Sequence, residues 1–107
     1  MVKDWEGVFI MLRHIVLMKF KEGVEEVRVS EMAAALGSLP PKIAAIKGFE
    51  FGRDIVKSER SYDFALVASF ENPDALKEYQ VHPEHVPVLQ LVRSICDSLV
   101  VADFIWP

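Results

Sequence analysis

The sequence predicts an α+β domain built on one four-stranded antiparallel sheet with helices on one face. Three observations predict it. Strand-like and helix-like segments follow one another in the order β-α-β-β-α-α-β. The strands are apolar on both faces rather than on one. The 107 residues are enough for a single core and too few for a second.

The first strand spans 11–20 (MLRHIVLMKF), rich in branched and large apolar residues and bounded by Lys21-Glu22-Gly23. A helix follows over 24–39. Val29, Met32, Ala33 and Leu36 recur there at i, i+3, i+4 and i+7 and form one apolar stripe. Pro40 and Pro41 end it, because proline lacks an N–H and clashes with the preceding turn. Residues 42–46 leave room for a short turn. The second strand, 49–54, is entered through Gly48. Residues 55–61 are mostly polar and suit a loop, and 62–70 form the third strand, antiparallel to the second. Asn72-Pro73-Asp74 starts a helix: Asn72 caps, Pro73 fits the first helical position and Asp74 suits the positive end of the helix dipole. That helix runs to Gln80. His82-Pro83 opens another, with Val88, Leu89, Val92, Ile95 and Cys96 on its apolar side and Pro87 expected to distort its first turn. The last strand spans 99–106. Merging the two short helices gives the ferredoxin-like pattern.

Residues 1–10 show no clear period. They read either as an N-terminal extension, leaving 11–107 as the domain, or as chain of which Val8 to Ile10 lengthen the first strand.

An antiparallel sheet covered on one face alternates apolar and polar residues. Here Leu12, His14, Val16, Met18 and Phe20 point one way, and Met11, Ile15 and Leu17 the other. Phe64, Leu66 and Ala68 oppose Ala65 and Val67. Leu99, Val101 and Ile105 oppose Val100, Ala102, Phe104 and Trp106. Helices cover one face only, and the simplest cover for the other is the same sheet of a second copy about a twofold axis. A homodimer through the sheet faces, a dimeric α/β barrel, is therefore expected.

Composition excludes several classes. The net charge of -4 and the lack of any block of Lys or Arg argue against nucleic acid as a partner. No apolar run approaches the roughly 20 residues that a membrane span needs. The single cysteine forms no internal disulfide and fits a reducing compartment. Asp4 and Glu6 do not suit a secretory signal. A cytoplasmic protein without membrane partners is expected.

The residues that carry chemistry cluster around Tyr79-Gln80-Val81-His82-Pro83-Glu84-His85-Val86. Histidine moves protons near neutral pH, and a neighbouring tyrosine stabilises a developing oxyanion. Tyr79 and His85, with His14 reaching in from the first strand, form a candidate pocket for enolate or aldol chemistry. His82 is a further candidate ligand contact. The bland readings stay beside these: His82 as a cap at a helix start, His85 as a lock on the turn, His14 as a core histidine. His82 and His85 are three apart with His14 as a third imidazole. No HExxH, paired cysteine or carboxylate at ligand spacing joins them, so no metal or cofactor is expected. Arg93 and Asp103 are placed to pair between the last helix and the last strand. Cys96 reads as a small core residue rather than a nucleophile.

The segment 11–21, Phe51-Gly52-Arg53-Asp54, Asp63-Phe64-Ala65-Leu66, Tyr79 through His85 and Val101-Ala102-Asp103-Phe104 resemble the stress-responsive α/β-barrel (Dabb) domain, over about residues 11–105. The resemblance implies a ferredoxin-like subunit and a homodimer whose sheets form a barrel. It implies no single activity. The family includes an enzyme that cyclises a linear polyketide by an aldol step. The resemblance places that enzyme's catalytic tyrosine and histidine on Tyr79 and His85, and its pocket histidine on His14. Bulky aromatics of its first helix fall on Ala33 and Leu36, a tryptophan on Cys96 and a histidine on Phe64. The expected pocket, between helices and sheet with Ala33, Leu36 and Leu66 in its walls, therefore differs in shape and polarity. The leading expectation is a small homodimer that binds a small apolar or carbonyl-bearing molecule there. The alternatives are a cyclase- or isomerase-type enzyme with His85 as general base and Tyr79 as donor, and a structural protein without a ligand.

Overall fold

In the computed structural model the described residues are 2–3 and 9–107, with side chains described from residue 10 onward. Their elements run β1 (Val2–Lys3), β2 (Phe9–Phe20), α1 (Glu26–Gly37), β3 (Gly48–Arg53), β4 (Phe64–Phe70), α2 (Pro73–Val81), α3 (His85–Ile95) and β5 (Cys96–Trp106). β2 is central. It pairs antiparallel with β4 on one side and β5 on the other, and β3 pairs antiparallel with β4. The order β5-β2-β4-β3 is the ferredoxin-like arrangement expected from the element pattern, with α1, α2 and α3 supplying the helices. β1 adds a short pairing, Val2 with Ile10 and Lys3 with Phe9. The expectation of an extension over 1–10 falls mostly on residues outside this description.

The boundaries shift where local chemistry competes with periodicity. Strand β2 begins at Phe9, two residues before the apolar run. Helix α1 stops at Gly37, before the prolines, because Ser38 already closes the end: its N–H reaches the carbonyl oxygens of Ala34 and Ala35. Residues 39–46 then turn on Leu39 and Ile43, both fully buried. Asn72 caps α2 as expected, its Oδ1 accepting from the Ala75 N–H at 2.8 Å, with Pro73 at the first position. Pro87 sits inside the first turn of α3, where its missing N–H has no helical partner to lose, so the helix runs on undistorted. Cys96 is not on that helix. It opens β5, which begins three residues earlier than the alternation suggests.

The core lies between helices and sheet. Met32, Leu36, Val88, Val92 and Ile95 pack on Leu12, Val16, Met18, Leu66, Ala68 and Phe70. Helix cover does not reach all of β5: Val101 and Ile105, on the helix side by register, are 61% and 53% exposed. Among the described residues no helix covers the opposite face of the sheet. Val100, Phe104 and Trp106 are exposed there beside Ile15, Leu17 and Val67.

Candidate functional site

Between the sheet and α3 lies a cavity of about 430 Å³. Its floor is Val16, Met18 and Leu66 of the sheet. Leu36 of α1 and Val88, Leu89 and Val92 of α3 form its walls, and Leu99 and Val101 of β5 form its open rim. Three buried polar side chains border this apolar space, His14, Tyr79 and His85, with the exposed residues Gln80 and Arg93 at its margin.

Each is placed by local structure. Tyr79 is on the buried face of α2, one turn from Leu76, and is 2% exposed. Its ring is the centre of an aromatic group: Phe70 at 5.0 Å, His85 at 4.1 Å and His14 at 6.4 Å between centroids. Its hydroxyl has no protein hydrogen-bond partner among the described residues. No fully buried side-chain polar atom there lacks a partner, so this oxygen is open to the cavity. Burial pushes the phenol up to about 12, so it stays a neutral O–H donor at physiological pH.

The break between α2 and α3 positions His85. His82 ends α2, and its Nδ1 accepts the Glu84 N–H at 3.0 Å. The His82 carbonyl accepts from the N–H groups of His85 and Val86 at 2.9 and 3.1 Å. This turn starts α3 with His85 facing inward. The His85 Nδ1 lies 3.2 Å from the Gln80 carbonyl oxygen. A carbonyl only accepts, so Nδ1 carries the proton and Nε2 keeps a lone pair. Burial holds the His85 imidazole below the usual histidine range; the Gln80 carbonyl opposes this, and His14 and His82 reinforce it.

His14 is 6% exposed on β2. Its Nδ1 lies 2.6 Å from Oδ1 of Asp103, its direct ladder neighbour on β5. The expected Arg93–Asp103 pair is therefore not formed: Asp103 is held across the sheet by His14, and Arg93 has no ion-pair partner among the described residues. The carboxylate accepts the Nδ1 proton, so Nε2 of His14, like that of His85, is claimed by no protein group there.

The chain matches the stress responsive A/B barrel domain (Dabb) over residues 12–106. It belongs to that family. Among its relatives, a stress-response A/B barrel domain-containing protein of Arabidopsis thaliana is 28% identical over 95 residues, which cover 87% of each chain. Olivetolic acid cyclase of Cannabis sativa is 26% identical over 95 residues, covering 87% of this chain and 94% of the relative. A dimeric protein of unknown function with a ferredoxin-like fold from Bacteroides fragilis superposes with a TM-score of 0.81 at 31% identity. It covers 90% of this chain and 96% of that one.

Within this Dabb domain, His14, Leu36, Leu66, Tyr79 and His85 come together around one cavity. His82 and Ala33 do not line it: His82 is half-buried in the turn, and Ala33 packs against the core from α1. Sequence reasoning missed Asp103 as the partner of His14 and Gln80 as the acceptor for His85. Asp103 carried a signal, as the one charged residue on the helix side of an apolar strand. Gln80 carried none, because it acts through its backbone. Cys96 is buried and its thiol is pushed up to about 11, mainly by burial and then by Asp63, which rules against a thiolate nucleophile. No cluster of three or more metal-ligating side chains occurs among the described residues. No helix there is long and apolar enough to cross a membrane.

Proposed function

We propose that this chain is a homodimer whose helix–sheet cavity binds a small apolar molecule carrying a carbonyl group. One observation supports the ligand reading above the others. A cavity with apolar walls presents a neutral phenol O–H and two imidazole Nε2 atoms that no group among the described residues claims. A carbonyl oxygen takes the Tyr79 proton as an acceptor, and the apolar walls take the rest of the molecule. The size suits about ten to fifteen non-hydrogen atoms, at a few tens of Å³ each.

The dimer reading rests on the uncovered sheet face with Val100, Phe104 and Trp106 exposed on it, and on the dimeric Bacteroides fragilis relative.

A second reading is favoured by the anchoring of His85. Its Nδ1 proton is committed to Gln80, and burial favours the neutral ring, so Nε2 is set up as a general base. With Tyr79 donating to the developing oxyanion, the pair suits proton removal next to a carbonyl, as in a cyclisation or isomerisation. Olivetolic acid cyclase among the relatives is consistent with this reading.

Native mass spectrometry of the purified protein, followed by calorimetric titration with 2-nonanone, tests both. A dimer that binds the ketone saturably at one site per chain, with binding weakened about tenfold in Tyr79→Phe, supports the ligand reading. A protein that binds neither a co-purified molecule nor the ketone is a structural protein. A monomer at micromolar concentration sinks the dimer.

A further inference from the structure

On the uncovered face, β2 presents Met11, Arg13, Ile15, Leu17 and Lys19 by alternation. The register brings Ala65, Val67 and Ser69 of β4, Gly48, Glu50 and Gly52 of β3, and Val100, Ala102, Phe104 and Trp106 of β5 to the same side. Lys19 is at one end, near Asp63 at 4.0 Å. Arg13 is the cation in the body of this face, and Glu50 is the only carboxylate that these strands bring to it.

Arg13 is half-buried among apolar neighbours. One of its five N–H donors reaches Ser69 Oγ, at 2.7 Å from Nη1. It forms no ion pair among the described residues, where the salt bridges join other side chains. Glu50 is exposed and likewise forms no ion pair among the described residues. Both line one depression of about 530 Å³, together with Phe104 and Trp106. Gly48 also belongs to it: a Cβ there would meet Ser69 Oγ at 3.1 Å, crowding the hydroxyl that accepts from Arg13.

A second sheet laid on this face removes water from the Arg13 guanidinium. An unpaired buried charge is strongly destabilising, so the covering surface must bring a carboxylate. The same surface on a second copy brings one. In a twofold interface, any contact from residue i to residue j is repeated from j to i. One cation and one anion on a face therefore make it self-complementary. We propose that Arg13 of each protomer pairs with the partner's Glu50, and that these two ion pairs fix the register of the dimer. The apolar residues around them supply contact area without direction; the charges decide which alignment of the two sheets is allowed. This deepens the homodimer reading and rests on it.

Charge reversal separates a pair across the interface from one within a subunit. Analytical ultracentrifugation gives the dimer dissociation constant, and circular dichroism checks folding. Arg13→Glu alone places two acidic pairs in the interface, and Glu50→Arg alone two basic pairs. Each is expected to weaken dimerisation at least tenfold. Mixing the two variants restores opposite charges at both contacts, and native mass spectrometry is expected to show dimers with one chain of each. The double variant, Arg13→Glu with Glu50→Arg, is expected to dimerise with itself. Single variants that dimerise as tightly as the parent, or a mixture that forms no mixed dimer, overturn the pair and leave the dimer standing. A parent chain that stays monomeric overturns both. If either reversal fails to fold, Arg13→Gln, Glu50→Gln and their combination keep the question open to refutation. The pair requires the combination to lose no more affinity than the worse single variant, and additive losses reject it.

Discussion

Asp103 stands directly opposite His14 in the β2–β5 ladder, and its Oδ1 lies 2.6 Å from the His14 Nδ1. This contact joins the exposed edge strand to the centre of the sheet and fixes which nitrogen of His14 is free. Asp103→Asn keeps the shape and removes the charge. Hydrogen bonds to charged groups contribute about 1.5–3 kcal/mol, and water reaches Asp103, so a loss near the lower end, about 1.5 kcal/mol, is expected in urea unfolding. The amide also offers a donor as well as an acceptor, so the His14 tautomer is no longer enforced. Ketone affinity should then fall even where the protein remains fully folded. A variant with unchanged stability and unchanged affinity would show that the contact does neither job.

Tyr79→Phe separates the ring from the hydroxyl. The ring holds the aromatic group of Phe70, His85 and His14 together, and phenylalanine retains it. The hydroxyl faces the cavity without a hydrogen-bond partner among the described residues, so its removal orphans none of them. Stability is expected to stay within about 1 kcal/mol of the parent, while a ligand that accepts its proton loses about tenfold in affinity, the equivalent of one net hydrogen bond. A thermal melt and a calorimetric titration together decide it. A large fall in melting temperature would place the hydroxyl in the structure rather than in the site.

The depressed His85 titration gives a signed pH dependence. An ordinary histidine titrates near 6.5, and the folded state holds His85 lower, chiefly by burial. Above about pH 6.5 neither state carries the proton, and the full stability is present. As pH falls through 6.5, the unfolded chain takes up a proton that the folded chain resists, so stability declines until the lower folded value is reached. His85→Gln removes that proton uptake. Urea midpoints at pH 7.5 and pH 5.5 should therefore differ less in His85→Gln than in the parent. Equal differences would mean that His85 titrates alike folded and unfolded.

How much of this was legible in the sequence follows from which interactions are local. The cap at Asn72 was readable because the capping oxygen, Pro73 and the first-turn acid are adjacent in the chain. The placement of His14 was readable because strand alternation alone sends it to the side of Val16 and Met18. The Asp103 contact was not, because it joins residues 89 apart and depends on the β2–β5 register, which includes a shift between Lys19 and Phe20. Arg93 looked an equally good partner on charge alone. The end of α3 was misplaced for a related reason: Cys96 fits the helical apolar period, but it starts β5, where it is equally buried. Periodicity states that a residue is inside, and not which element takes it there. His82 and His85 are nearly adjacent with the same side chain, yet one shapes the turn and the other enters the cavity. The difference is set by where α2 stops.

The open rim of the cavity supplies a test that leaves its polar groups untouched. Val101 lies on the helix side of β5, lines the cavity and is 61% exposed, because helix cover does not extend over this part of the strand. A larger side chain there projects over the opening without being forced into a packed core, so the usual overpacking cost of about 1–3 kcal/mol does not apply. Val101→Trp is therefore expected to fold with a melting temperature within a few degrees of the parent, since surface substitutions fall within about 0.5 kcal/mol. An indole over the rim occupies space that a ligand must cross, and 2-nonanone affinity or its association rate should fall at least tenfold. His14, Tyr79 and His85 are unchanged in this variant, so such a loss reports access and not chemistry. Unimpaired binding in a folded Val101→Trp protein would mean that ligands do not enter between α3 and β5, and that the cavity opens by movement of the helices instead.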